Sequence, residues 1–365
     1  MAAGSVMRIE GLDALRGMAA VGILVYHTVL ILGLYRPSEV GPMFGYLSLA
    51  VQLFFAISAF SLCVGYFGKL TSADRLKGFF VRRFLRIAPL FYFMMAVYLT
   101  RRIMNGWGLP SYPEIAANAL FYFSFIPGYH ESIVAAGWSL NVEMIFYLFF
   151  PVLLVISKDV KSSVWVFVAT MIMSIGASVA FRYWQFAPRY DWLSPVPQAP
   201  FFVAGIVMFH AYQWISKRPG THAKLIASGI FIAVPILVWS ALRMGALGLK
   251  IGPWSMDRHI MGFLVLPLVL AFALFPVRFL VNRVTVYIGA VSYGIYLIHP
   301  WIINVVGKKA QALMKGYGFS DPEVGPAIIG LVAITAVILA TVSYFLLERP
   351  CMRLVSRKRS VPVVA

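Results

Sequence analysis

Residues 12–34 read LDALRGMAAVGILVYHTVLILGL. A helix that crosses the hydrocarbon core of a bilayer needs about 20 mostly apolar residues. This run has the length, and its ionisable side chains are confined to Asp13, Arg16 and His27. The same pattern recurs along the chain at 43–67, 85–99, 138–157, 163–186, 196–215, 223–243, 258–275, 285–306 and 325–347. The stretch 85–99 is short and extends back toward residue 79, and 115–127 is apolar but too short to cross, so it reads as a re-entrant or interfacial segment. These runs predict an all-α, polytopic membrane helix bundle of about ten transmembrane helices.

Composition agrees. Of 365 residues, 61% are hydrophobic and 12% charged, against about 25% charged in soluble domains. So little polar surface cannot cover a water-exposed globule of this size. The chain reads as a transmembrane domain over 1–350 and a basic tail over 351–365. The net charge of +18 does not indicate a nucleic-acid binder, because the basic residues are scattered over many short loops. Two cysteines, Cys63 and Cys351, exclude a disulfide framework and a cysteine metal site. No clear small-x-small cleavage site follows the first apolar run, so no cleavable leader is expected. No internal repeat of the kind common in transporters is visible.

With ten spans both termini share a side. Placing them in the cytoplasm puts most of the 31 lysines and arginines on that side, among them Arg8, Lys69, Arg75, Arg82, Arg83, Arg86, Lys217, Arg278 and the cluster from Arg349 to Arg359. The positive-inside bias therefore favours cytoplasmic termini and a plasma (inner) membrane protein in contact with lipid.

Ionisable side chains inside membrane helices cost roughly 2.5–3.5 kcal/mol each on insertion scales, so those that persist usually face a cavity or a partner. Arg16 and His27 are eleven residues apart, about 20° past three full turns, and so share a helix face about 16 Å apart. Arg16 could instead snorkel to the interface, and His27 could be an interhelical hydrogen bonder. Glu143 follows Trp138 and Ser139 near the start of its span; beside a histidine it would orient the imidazole, and alone it would be a structural hydrogen bonder. His299 lies at the same depth as His27 on a helix running the same way, although Pro300 beside it allows a purely structural role. Two imidazoles and a carboxylate thus converge on one depth if their helices adjoin.

The stretch Arg82-Arg83-Phe84-Leu85-Arg86-Ile87-Ala88-Pro89-Leu90-Phe91-Tyr92 puts Arg82 about 40° and Arg83 about 60° from Arg86 on a helix. Guanidinium forks match phosphate bidentately, so this arc reads either as a phosphate site or as anchoring to anionic lipid. His130 and Glu131 read as solvated loop residues, and His210, His222 and His259 receive no role. Phosphate-loop, dinucleotide and serine-elbow motifs are absent, and nothing has metal-ligand spacing.

Six blocks taken together resemble the type-3 integral-membrane acyltransferases, which O-acylate surface carbohydrates and some secondary metabolites. They are Leu12–Gly17 with His27; Val51–Ser58; Arg82–Pro89; Trp138-Ser139-Leu140 with Glu143 and Phe146-Tyr147; the Tyr-Leu-x-His block ending at His299; and Glu348-Arg349-Pro350. They fall in family order over nearly the whole chain. Two positions depart from the pattern: Ser58-Ala59-Phe60 stands where the family has Ser-Gly-Phe, and Ala50 where it commonly has Gly. Both are small-for-small changes compatible with close helix packing. The esterase-like domain that some members carry after the last span is not expected here.

The resemblance implies an O-acyltransferase that moves an acyl group, acetyl above all, from cytoplasmic acyl-CoA (acetyl-CoA) to a sugar hydroxyl of a carbohydrate or glycan acceptor, without metal. It implies His27 and Glu143 as catalytic residues and Arg16, Arg82, Arg83, Arg86 and Tyr92 as donor-binding. Trp138, Ser139 and His299 would line the acceptor or stabilise the oxyanion. A separate export or transferase partner is compatible with this reading. The competing classes are a transporter or flippase for an anionic or lipid-linked substrate, and a structural subunit of an export complex.

Overall fold

The computed structural model describes residues 9–35, 41, 44–243, 249–251 and 254–357. Arg8, residue 43 at the head of the second expected span, and the tail beyond 357 lie outside the described residues. Helices α1 Glu10–Leu32, α2 Ala50–Tyr66, α3 Ala73–Met104, α4 Tyr112–Ala119, α5 Trp138–Ile156 and α6 Val160–Tyr183 form the first part of the chain. They are followed by α7 Tyr190–Leu193, α8 Pro195–Ile215, α9 Gly220–Arg243, α10 Asp257–Val265 and α11 Pro267–Leu274. The last part comprises α12 Arg283–Ala290, α13 Ser292–Ile302, α14 Lys308–Gly316, α15 Asp321–Ser343 and α16 Arg349–Arg357. Among the described residues the only strands are two-residue pieces, Lys250–Ile251 and Trp254–Ser255, paired antiparallel.

All ten expected segments fall on helices. Among the described residues eight helical stretches are long and apolar enough to cross a membrane, and a ninth counts if α12 with α13–α14, bent by 71° at Val291, is one span. The segment 85–99 lies inside α3, a 32-residue helix whose first half carries Arg82, Arg83 and Arg86. The stretch 115–127 forms α4 and a 3-10 turn, Phe123–Phe125. Eight helical residues rise only about 12 Å, so it does not span. The lipid solvent shows in the burial pattern: Trp165, Ile172, Leu225, Ile232, Trp239 and Ile338 are large apolar side chains left exposed on outer helices.

Lipid gives little hydrophobic drive between helices, so close approach through small residues carries much of the packing. A Cβ on Gly289 of α12 would sit 1.9 Å from the Asp13 backbone oxygen of α1, and one on Gly17 of α1 would sit 2.6 Å from Thr285 O. These two glycines press α1 onto α12. Gly205 of α8 does the same against α2, where a Cβ would lie 2.3 Å from Ala56 O and 2.9 Å from the Ala59 methyl. Ala59 is tolerated in place of the family's glycine because the helix opposite supplies the missing side chain. The α1 helix thus sits among α2, α12 and α13, while α5 packs on α3 and α8.

Pro300 does not break α13. The helix runs through it to Ile302 and loosens into a π turn, Ile303–Gly307. The Asn304 side chain donates to Pro300 O at 2.8 Å. Likewise α15 passes through a π turn, Tyr344–Glu348, into α16, so the expected tail begins inside a continuing helix.

Candidate active site

Two of the cavities among the described residues hold the candidate site residues. The first, about 50 Å³, is lined by Arg16, Ser58, Arg86, Ser139, Glu143 and Tyr296 among others. Arg16 reaches it from α1 by donating to Ser61 Oγ at 3.0 Å and to Ile57 O at 3.4 Å, and it pairs with Asp13 at 3.5 Å. Arg86 makes no hydrogen bond or salt bridge among the described residues. Glu143 accepts from Ser58 Oγ at 2.6 Å and from the Tyr147 hydroxyl. The cavity therefore presents two guanidiniums and one carboxylate whose Oε1 is held by Ser58 and Tyr147.

Arg82 and Arg83 do not stand with Arg86 on one arc. Both turn to Tyr66 at the end of α2: Arg82 Nε donates to its hydroxyl at 2.9 Å and Arg83 Nη2 at 3.5 Å. Arg83 also lies 5.8 Å from the Tyr147 ring, and its Nε–H is buried without a partner. Only Arg86 and Arg16 line the cavity, with Arg82 and Arg83 forming a second cationic group around one phenol. Tyr92 is placed elsewhere. Six residues turn a helix about 240°, which carries Tyr92 off the Arg86 face, and its hydroxyl donates to Ala119 O at 2.6 Å to fasten α4.

The second chamber, about 330 Å³, is lined by His27, Glu131, Ala136, Trp138, Arg189 and Pro300 among others. His27 does not meet Glu143. Its Nδ1 lies 2.8 Å from His299 Nε2, with the two rings stacked at 5.0 Å. Depth counting placed all three groups at one level but could not give helix order, and α1 and α5 are not packed on each other.

The network fixes the tautomers. His299 Nδ1 lies 3.3 Å from Ile295 O. Carbonyls only accept, so Nδ1 of His299 carries its hydrogen and Nε2 accepts. His27 must then donate from Nδ1, which leaves its Nε2 lone pair free.

Between the chambers stands a knot of hydrogen bonds. Ser139 Oγ donates to the Tyr296 hydroxyl at 2.8 Å, and that hydroxyl donates to Ala136 O at 3.1 Å. Ser139 and Tyr296 border the arginine cavity, whereas Ala136 and Trp138 border the histidine chamber. Tyr296 was quoted in the sequence only as part of a motif; its place between the chambers was not legible there. His130 and Glu131 are not simply solvated: His130 is 2% exposed and bonded to Pro188 O at 3.0 Å, and Glu131 pairs with Arg189 at 2.6 Å. His210 and His259 are buried packing residues held by Ser157 O and Ser174 Oγ.

A polytopic helix bundle with an arginine-lined cavity and a histidine-lined chamber is the setting of a membrane acyltransferase. Residues 9–346 match the family model described as an acyltransferase domain, and the chain belongs to that family, the type-3 membrane acyltransferases. It is 25% identical to the acyltransferase MdmB of Streptomyces mycarofaciens, over 98% of this chain and 95% of that one. It is 25% identical to a candidate O-acetyltransferase of Staphylococcus aureus, over 94% of this chain and 57% of the relative, so it spans little more than half of that protein. It is also 25% identical to the exopolysaccharide production protein ExoZ of Rhizobium meliloti, over 83% of this chain and 89% of the other. No solved structure matches. The chain is a multi-pass membrane acyltransferase.

Proposed function

We propose that the enzyme moves an acyl group, acetyl above all, from cytoplasmic acyl-CoA to a hydroxyl of a sugar in a cell-surface or exported glycan. It would sit in the inner membrane with both termini cytoplasmic. The observation that carries this reading is the pair of chambers, cationic on one side and with His27 in the wall of the other, separated by the Ser139–Tyr296–Ala136 hydrogen bonds. Arg86 and Arg16 bind the anionic donor. Arg82 and Arg83, gathered on Tyr66, add a second set of phosphate donors when the phenol yields. The acyl-bearing arm passes Glu143 and stops at the Ser139–Tyr296 knot.

His27 acts as general base. Its free Nε2 takes the proton of the sugar hydroxyl as the oxygen attacks the thioester carbonyl. The C–S bond then breaks and the thiolate leaves, taking a proton from His27. His299 holds the imidazole in the tautomer that exposes Nε2, the role that the sequence reading gave to Glu143. Glu143, tied to Ser58 and Tyr147, shapes the donor cavity and balances its guanidiniums. Ser139 and Tyr296 are the hydroxyls nearest the place between the chambers, and either would donate to an oxyanion by turning its hydrogen from its present acceptor.

The test is purified protein with labelled acetyl-CoA and a sugar acceptor. His27→Ala abolishes acyl transfer while folded protein remains in the membrane; full residual activity ends the proposed role. Arg86→Ala chiefly raises the donor KM, and an unchanged KM moves the phosphate site elsewhere. A transporter predicts movement of substrate with no coenzyme A release.

A further inference from the structure

The mouth of the histidine chamber carries features that the acyl-transfer chemistry does not use. The loop before α5 and the loop before α7 meet there. His130 joins them: its Nδ1 accepts from the Gly128 N–H at 3.2 Å, and its Nε2 donates to Pro188 O at 3.0 Å. Next to this joint, Arg189 Nη2 donates to Glu131 Oε1 at 2.6 Å. Both members line the chamber and remain in contact with solvent, 63% and 45% exposed. Three residues of the chamber wall, Ser132 (φ 75°), Ala136 (φ 65°) and Arg189 (φ 62°), hold left-handed backbone without being glycine. Such conformations are strained for a residue with a side chain and persist where the surrounding structure imposes them, commonly at ligand sites. Here the surroundings are explicit: Asn118 Oδ1 accepts from Ser132 Oγ at 2.7 Å and from the Ile133 N–H at 3.1 Å.

We propose that the Glu131–Arg189 pair selects the acceptor, and that it favours a neutral saccharide over an anionic one. The proposal rests on the acyltransferase reading above. A lone surface ion pair would carry little weight. This one stands at the entrance of a chamber of about 330 Å³ that ends at His27, with Trp138 on its wall. A sugar hydroxyl both donates and accepts. A carboxylate beside a guanidinium offers one acceptor and several donors side by side, which complements two neighbouring hydroxyls of a pyranose. The indole of Trp138 offers the apolar surface that a sugar's C–H face needs. The pair has no net charge. An acidic sugar would bring its anion beside Glu131 without a surplus cation to meet it, and that repulsion is the selective element.

The experiment compares wild-type protein with Glu131→Gln, Arg189→Gln and Arg189→Lys in liposomes. Acetyl-CoA is the donor, a methyl hexoside and the matching methyl hexuronide are the acceptors, and coenzyme A release is followed by a thiol reagent. The readout is the ratio of kcat/KM for the neutral sugar to that for the acidic one. The wild type favours the neutral sugar. Glu131→Gln frees Arg189 and moves the ratio toward the acidic sugar by about five-fold, the scale of an exposed charge interaction. Arg189→Gln moves it the opposite way, and Arg189→Lys, which keeps the charge, stays near wild type. The donor KM is the same in all four proteins. Ratios that do not move, or that move the same way in both Gln variants, overturn the selection while leaving acyl transfer in place. Absence of acceptor-dependent coenzyme A release from the wild type overturns the acyltransferase reading, and the selection falls with it.

Discussion

Replacing His299 by Phe tests the assignment of roles around His27. The Phe ring fills the volume but accepts no hydrogen bond, so the His27 Nδ1–H at 2.8 Å loses its partner. A buried donor left unsatisfied costs about 1–3 kcal/mol. If that cost falls on the tautomer and orientation needed in the transition state, kcat drops about 5- to 150-fold, since 1.36 kcal/mol is tenfold in rate. The donor KM should not change, because His299 does not line the arginine cavity. His299→Gln, whose amide oxygen can stand where Nε2 stood, should recover part of the loss. The assay is acceptor-dependent coenzyme A release from purified protein, with membrane abundance and thermal unfolding as folding controls. Wild-type kcat in a folded His299→Phe protein would refute the reasoning, and so would a Gln variant no better than the Phe one.

Gly289→Ala should destabilise the protein by the 1–3 kcal/mol typical of overpacking, because its Cβ would lie 1.9 Å from Asp13 O; an unchanged melting temperature in detergent would contradict the packing of α1 on α12. Burial holds His130 below the ordinary imidazole value. Its contribution is complete above about pH 6.5, the unperturbed histidine value, and is lost as pH falls through the lower folded value; hydrogen-exchange protection factors of residues 128–133, corrected for the intrinsic pH dependence of amide exchange, should therefore fall on acidification, and unchanged protection factors would contradict the role of His130 in joining the two loops. Glu143→Gln keeps an acceptor for Ser58 or Tyr147 and should alter donor KM more than the pH profile of kcat; a changed profile with unchanged KM would return Glu143 to the side of His27.

The spans were legible because each is a long apolar run, and period counting along α1 put Arg16 and His27 on one face. The equal depth of His27 and His299 followed from counting residues into two parallel helices, and those two rings do meet. Counting along a helix gives depth and rotation but not its neighbours. Glu143 shares their expected depth, yet α5 packs on α2, α3 and α8 and not on α1, so its partners came from α2 and its own next turn. Tyr66 escaped notice for the same reason: it lies at the end of the preceding helix, sixteen residues before Arg82. The 71° bend at Val291 carries neither Pro nor Gly at the break itself, and the run 285–306 read as one continuous span. Pro300, which did look like a kink, instead passes smoothly into a π turn.

On the proposed mechanism donor and acceptor enter from opposite ends and react between Glu143 and His27. Proteoliposomes in which labelled acetyl-CoA and a methyl hexoside are confined to opposite sides of the bilayer distinguish the two directions. Labelled sugar should appear when the donor is on the side carrying Arg82, Arg83 and Arg86 and the sugar is on the His27 side, and it should disappear in His27→Ala. Equal labelling with the two substrates exchanged, or labelling that survives His27→Ala, would contradict the account.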